Sequence, residues 1–204
     1  FPHFDVAAFV CYPAEYPGRA PFEDGLAYVT QALAAAGLKL PVWVTAFGFD
    51  SGSKNEPQQA DNLFKWAVHG RALGIDRLFL DGLRDYRLPG DTGVGRNTGL
   101  VREAAPGEIP ARKPAFQALA MLLAEIAERP HVSRYRDGLY ALTGKGETRY
   151  VLWKVESYDA REFLIPDWWE VTRLSGGRAI RQGSAIRPGA GPVLLRRVRS
   201  PFIR

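Results

Sequence analysis

Three times within the first 130 residues a short apolar run gives way to a helical pattern, and after Pro130 the helical period stops. Phe4 to Val10 reads as a strand. After the turn-rich stretch Pro13 to Pro21, the spacing predicts a helix from near Phe22, with Leu26, Val29, Leu33 and Ala36 on one face and Gly37 as its stop. Pro41 to Phe47 is a second strand. The loop Phe49 to Asn55 then leads to a helix striped by Ala60, Leu63, Phe64, Ala67 and Val68, which Gly74 ends before a third strand, Arg77 to Leu80. The loop from Gly82 to about Arg112 is rich in Gly and Pro, and loops of that length without their own structure are usually functional. A last helix, Pro114 to Glu128, is expected to turn Phe116, Leu119, Ala120, Leu123 and Ala127 inward. Strands that alternate with helices in this way lie parallel and are joined by right-handed crossovers, so residues 1–130 form an α/β domain.

Residues 131–204 read differently. Short β-branched or aromatic runs (Leu139 to Thr143, Tyr150 to Val155, Glu162 to Ile165, Glu170 to Leu174, Ala179 to Gln182 and Val193 to Arg197) stand between tight turns such as Gly144-Lys145-Gly146. That pattern predicts antiparallel hairpins in a small β-domain. Three parallel strands alone leave two edges and one face open, so a partner is expected to cover them: an absent N-terminal portion, a second chain or another copy.

Charge and composition narrow the function classes. The net charge of +5 comes entirely from the tail, because residues 1–130 hold 13 Lys/Arg against 15 Asp/Glu and residues 131–204 hold 14 against 7. Those cations are spread singly among the strand-like runs, which does not make the basic footprint of a nucleic-acid partner. No apolar run reaches the roughly 18 residues of a membrane span. Leu119 to Ala127, the most apolar stretch, is interrupted by Glu125. Cys11 stands alone, and His3, His69 and His131 have no metal-ligand spacing, so neither a disulfide nor a metal is expected and the compartment stays open. The first residue is Phe1, which reads as a processed chain or a piece of a longer one.

The stretch Pro41-Val42-Trp43-Val44-Thr45-Ala46-Phe47-Gly48-Phe49 resembles the seventh strand of clan A glycoside hydrolases, (β/α)8 barrels in which the motif reads pVwvTEfG and the glutamate is the nucleophile. Phe4 to Pro13 resembles the sixth strand, Arg77 to Asp85 the eighth, and Lys113-Pro114-Ala115-Phe116 the start of the eighth helix. The β-tail is similar to the sandwich appended to family 39 and related glycosidases. The resemblance implies the C-terminal three βα units of a TIM-type barrel followed by a β-sandwich, a carbohydrate substrate, a retaining mechanism and no metal or other cofactor. In such enzymes two carboxyl groups converge about 5–5.5 Å apart where the strands end. The nucleophile position holds Ala46 here, the acid/base strand is absent, and Cys11 replaces the sixth-strand histidine. Ala46 is read as an engineered knockout or as natural loss. If the register is instead misread, Asp50 is the nearest carboxylate.

By the same resemblance Tyr12, Trp43, Asp50 and Asp81 are the candidate sugar-contacting residues around Ala46. Each has a plainer reading. Asp81 and Asp85 are as well explained as loop caps or as partners of Arg84 or Arg87, and Trp66, Trp153, Trp168 and Trp169 as core rings of which one of the last two faces outward. Cys11 reads as a small buried residue sooner than as a nucleophile. Gly90 to Gly99 lacks the Lys-Ser/Thr ending of a phosphate loop. The alternative to an enzyme is a non-catalytic carbohydrate-binding or structural pseudoenzyme fragment.

Overall fold

The computed structural model describes residues 3–11, 21–52, 55–86, 97–155, 168–174, 177–182, 189 and 191–198. The chain divides into two compact units, Phe1–Gln117 and Ala118–Arg204. The sequence places the boundary at 130; the structural division falls inside the last helix, because that helix continues into the second unit.

The first unit alternates as its pattern predicts: β1 (Ala7–Val10), α1 (Pro21–Ala35), β2 (Val42–Phe47), α2 (Glu56–Ala72) and β3 (Arg77–Leu80). The strands form a parallel sheet in the order β1-β2-β3. Both helices end on a left-handed glycine, Gly37 and Gly74, and the next amide, of Leu38 or Ile75, donates to the carbonyl five residues back. Val42, Val44 and Phe47 turn to the buried side of the sheet, where the ring of Phe22 of α1 packs tilted against Trp66 of α2 with centroids 4.9 Å apart. The stripe expected on α2 is buried, but so are Gln59, Asn62, Lys65, Trp66 and His69 between its members. His69 is held by Glu23 of α1 at 2.9 Å, an ion pair or hydrogen bond that ties the two helices together.

The other face of this sheet carries the residues that alternate with these. Ala8, Val10, Trp43, Thr45, Arg77 and Phe79 share it by register and alternation, and Val10 and Phe79 are exposed.

The second unit takes most of α3 (Pro114–Glu128) and then six strands: β4 (His131–Arg136), β5 (Leu139–Thr143), β6 (Thr148–Leu152), β7 (Trp168–Arg173), β8 (Arg178–Gln182) and β9 (Val193–Arg197). They make one antiparallel hydrogen-bonded sheet in the order β4-β5-β6-β9-β7-β8. The expected run Glu162 to Ile165 lies outside the described residues. Leu139, Leu152, Trp169, Val171, Val193 and Leu195 form the core on one face. On the other, Tyr140 stacks on Trp153 with ring centroids 4.8 Å apart. Trp169 is buried and its neighbour Trp168 half-buried, as alternation requires.

The phase of α3 differs in part from the expected one. Leu119 is buried and Phe116 half-buried as expected, but Leu123 is 66% exposed and Ala120 and Ala127 face solvent, while Ala118, Leu122, Glu125 and then Arg129 continue the buried line at helical spacing. Two charged residues belong inside because they are paired: Arg129 holds Glu125 at 2.9 Å and Glu147 at 2.7 Å, and Arg149 of β6 closes the group on both carboxylates. Burial raises the Glu125 pKa, and the two guanidinium groups oppose that rise. Arg178 and Arg196 likewise converge on buried Glu170.

Candidate active site

The C-terminal ends of β1, β2 and β3 bring three of the singled-out residues onto neighbouring positions. The Cys11 amide donates to the Ala46 carbonyl at 3.1 Å, and the Asp81 amide to the Phe47 carbonyl at 3.0 Å. Cys11, Ala46 and Asp81 therefore stand side by side along the rim. In β2 the pairing slips on both sides: Phe9 opposes Val44 while Val10 opposes Ala46, and Val44 and Phe47 oppose Leu78 and Leu80. One extra residue is accommodated at Thr45-Ala46. The bulge keeps Thr45 and Ala46 in succession off the buried side, with Val44 and Phe47 buried around them. Bulges of this kind re-aim side chains and recur beside active sites.

Asp81 is exposed, and its carboxylate accepts a long hydrogen bond, 3.3 Å, from the hydroxyl of buried Thr98. Gly48 lies between them. A Cβ there would stand 3.4 Å from the Cβ atoms of both Asp81 and Thr98, so a larger side chain at 48 would part the two. Asp50 is spent locally, accepting the Gly52 amide at 2.7 Å in the turn after β2. Trp43 is not brought to this rim. It sits near the start of β2, three residues before Ala46, against Phe79 at 5.5 Å and under the Arg77 guanidinium at 4.9 Å. At about 3.3 Å per residue that is roughly 10 Å from the strand end. Tyr12, Arg87 and most of the run Gly90 to Gly99 lie outside the described residues.

Cys11 is 5% exposed, and burial, with the Glu23 carboxylate adding to it, pushes its thiol up to about 11. From a reference of 9.0 that is about 100-fold less thiolate at neutral pH, before any loss of access. Cys11 should therefore react with iodoacetamide at least about 100-fold more slowly in the folded chain than in urea; equal rates would show an accessible thiol.

Of the residues that hold the rim in place, only Asp85 was singled out in the sequence. Lys113, 2% exposed just before α3, gives its ammonium to the Asp85 carboxylate at 2.7 Å, the Ser51 hydroxyl at 3.1 Å and the Asn97 carbonyl at 2.9 Å. Asp85 thus pairs with Lys113 and not with Arg84, whose guanidinium goes to the Ala104 carbonyl. Gln59 of α2 donates to the carbonyls of Phe49, Asn97 and Gly99. Arg102 grips Glu56 through two bonds of 2.7 Å and holds its carboxyl below the usual range. One signal for Lys113 was available: a cation directly before a helix N-terminus is disfavoured by the helix dipole unless a carboxylate meets it.

Gly99 is required by close approach, since a Cβ there would lie 2.3 Å from the backbone carbon of Arg84 and the amide nitrogen of Asp85. Its amide donates to Asp85 at 3.0 Å. Gly99→Ala should cost about 3 kcal/mol by overpacking, read as a lower urea midpoint at unchanged slope; an unchanged midpoint would mean that the loops separate freely.

Among the described residues no group of three His, Cys, Asp or Glu side chains is placed to hold a metal ion, and no helix is long and apolar enough to cross a membrane. No protein-family model matches the sequence, and no curated protein matches it. Among solved structures the chain is similar to a family 39 glycoside hydrolase from the gut symbiont Bacteroides cellulosilyticus WH2, with 19% identity and a TM-score of 0.62 over 87% of this chain and 38% of that one. It also aligns with SrfJ from Salmonella typhimurium at 12% identity and a TM-score of 0.43, over 84% of this chain and 38% of that one, a likeness too slight to carry an argument. The chain thus spans well under half of either protein. The likeness to the family 39 enzyme is one of fold: a parallel three-stranded α/β unit and an antiparallel six-stranded unit that fit part of a glycosidase.

Proposed function

We propose that this chain is the C-terminal portion of a retaining glycosidase acting on oligo- or polysaccharide, with β1, β2 and β3 as barrel strands six to eight and the strand-end rim as the sugar site. The observation that carries the reading is the position of Ala46: half-buried on a bulge at the end of the middle strand, in a chain with part of a glycosidase fold. A retaining mechanism needs a carboxylate to form the glycosyl ester, and a methyl group cannot. The acid/base carboxylate belongs to a strand outside this chain, so the chain alone should not turn over 4-nitrophenyl glycosides, with or without azide. A non-catalytic sugar-binding role is the second reading, and Ala46 itself favours it. The two agree on where sugar binds and differ in whether a carboxylate at 46 brings hydrolysis.

The same reading supplies a partner. The sheet face opposite Val44 and Phe47 carries Val10, 60% exposed, and Phe79, 39% exposed, and β1 and β3 are edge strands among the described residues. Neither edge has the lysines or internal prolines that blunt free edges. The remaining barrel strands, or a second copy of the chain, would cover this face. Sedimentation at micromolar concentration should show a dimer or larger species for the isolated chain; a monomer that binds no apolar dye would contradict this.

A further inference from the structure

We propose that Lys113 is a positioning residue for the rim carboxylate Asp81, acting through the segment Asn97–Gly99. Four donors converge on the Asn97 carbonyl: the Lys113 ammonium at 2.9 Å, the Gln59 amide at 3.0 Å, and the Ser51 hydroxyl and amide at 3.0 and 3.2 Å. On the other side of Thr98, Gly99 is held by its amide on Asp85 and its carbonyl on Gln59. Lys113, Gln59 and Ser51 are each at most 3% exposed. They come from the start of α3, from α2 and from the loop after β2, so the backbone on either side of Thr98 is fixed from three directions. Thr98 has little freedom left, and its hydroxyl is kept on Asp81 beside Ala46.

A buried lysine with all three N–H groups used, in a loop that contributes a hydroxyl to the rim, does more than close a loop. It sets where the Asp81 carboxylate points. Gln59 Oε1 is buried with no partner among the described residues, while the two N–H groups of the same amide are shared among the carbonyls of Phe49, Asn97 and Gly99. The consequence for sugar binding rests on the function proposed above, but the geometry can be tested without any sugar.

The test is the carbon-13 resonance of the Asp81 carboxyl in the full chain at neutral pH. The main variant is the neutral pair Lys113→Met with Asp85→Asn, which removes the clamp while leaving the local net charge unchanged. Thr98→Val supplies the reference shift. The clamp variant should move the Asp81 resonance by about as much as Thr98→Val does, and adding Thr98→Val to it should move it no further. Should that pair not fold, Gln59→Leu, which loosens the same segment from α2, should move the resonance in the same direction. An Asp81 resonance left at its wild-type position by the clamp variants, or by Thr98→Val itself, would overturn the proposal. A destabilised but merely structural loop would lower the unfolding midpoint without moving this resonance. Failure here would leave the glycosidase reading standing, since that reading is decided by turnover.

Discussion

Asp85→Ala should lower the stability of the first unit by about 3–5 kcal/mol, the usual cost of stripping one partner from a buried ion pair. The side chain of Lys113 is 1% exposed and that of Asp85 10%, so the remaining ammonium would keep only the Ser51 hydroxyl and the Asn97 carbonyl as acceptors. Water cannot readily replace the carboxylate, and the Gly99 amide loses its acceptor in the same substitution. In a unit of this size the loss corresponds to roughly 10–20 °C in melting temperature. Replacing both partners together, Lys113→Met with Asp85→Asn, should recover most of it, because no uncompensated charge is then left buried. A loss below about 1 kcal/mol in the single variant would mean that solvent reaches the pair.

The strand and helix order of the first unit was legible because each element carries its own period and its own stop, as with Gly37 and Gly74. The phase of α3 was legible only in part. A reading that counts only apolar residues chooses Leu123 and passes over Glu125 and Arg129, whose burial depends on Glu147 and Arg149 across a turn. The strand His131–Arg136 went unread for a similar reason: it is an edge strand exposed nearly along its whole length, so its residues have no buried face to alternate with.

For the site, the sequence showed Ala46 only through the motif around it, while the bulge that turns Thr45 and Ala46 off the buried side leaves no mark in the residue types. The clamp was still further from view. Ser51, Gln59, Asp85, Asn97 and Lys113 are polar and widely separated in sequence, and each taken alone reads as a solvated loop or helix residue. Their meaning comes from convergence, which tertiary structure alone supplies. Trp43 shows the opposite case. An aromatic residue in the right motif drew attention as a sugar platform, yet it sits near the other end of its strand beneath Arg77.

A carboxylate at position 46 should restore hydrolysis at this rim. Ala46→Glu, combined with a polypeptide supplying the N-terminal barrel strands and the acid/base glutamate, should hydrolyse a 4-nitrophenyl glycoside at least about 10³-fold faster than the same assembly with Ala46, since loss of a nucleophile commonly costs that much or more. The released sugar should keep its anomeric configuration, as a covalent intermediate requires. In the Ala46 assembly azide should give a glycosyl azide of inverted configuration, and the 204-residue chain by itself should give no product in either form. Equal turnover with Glu and Ala at 46, or no turnover by a folded Ala46→Glu assembly that binds the glycoside, would contradict the assignment of this rim as a glycosidase active site.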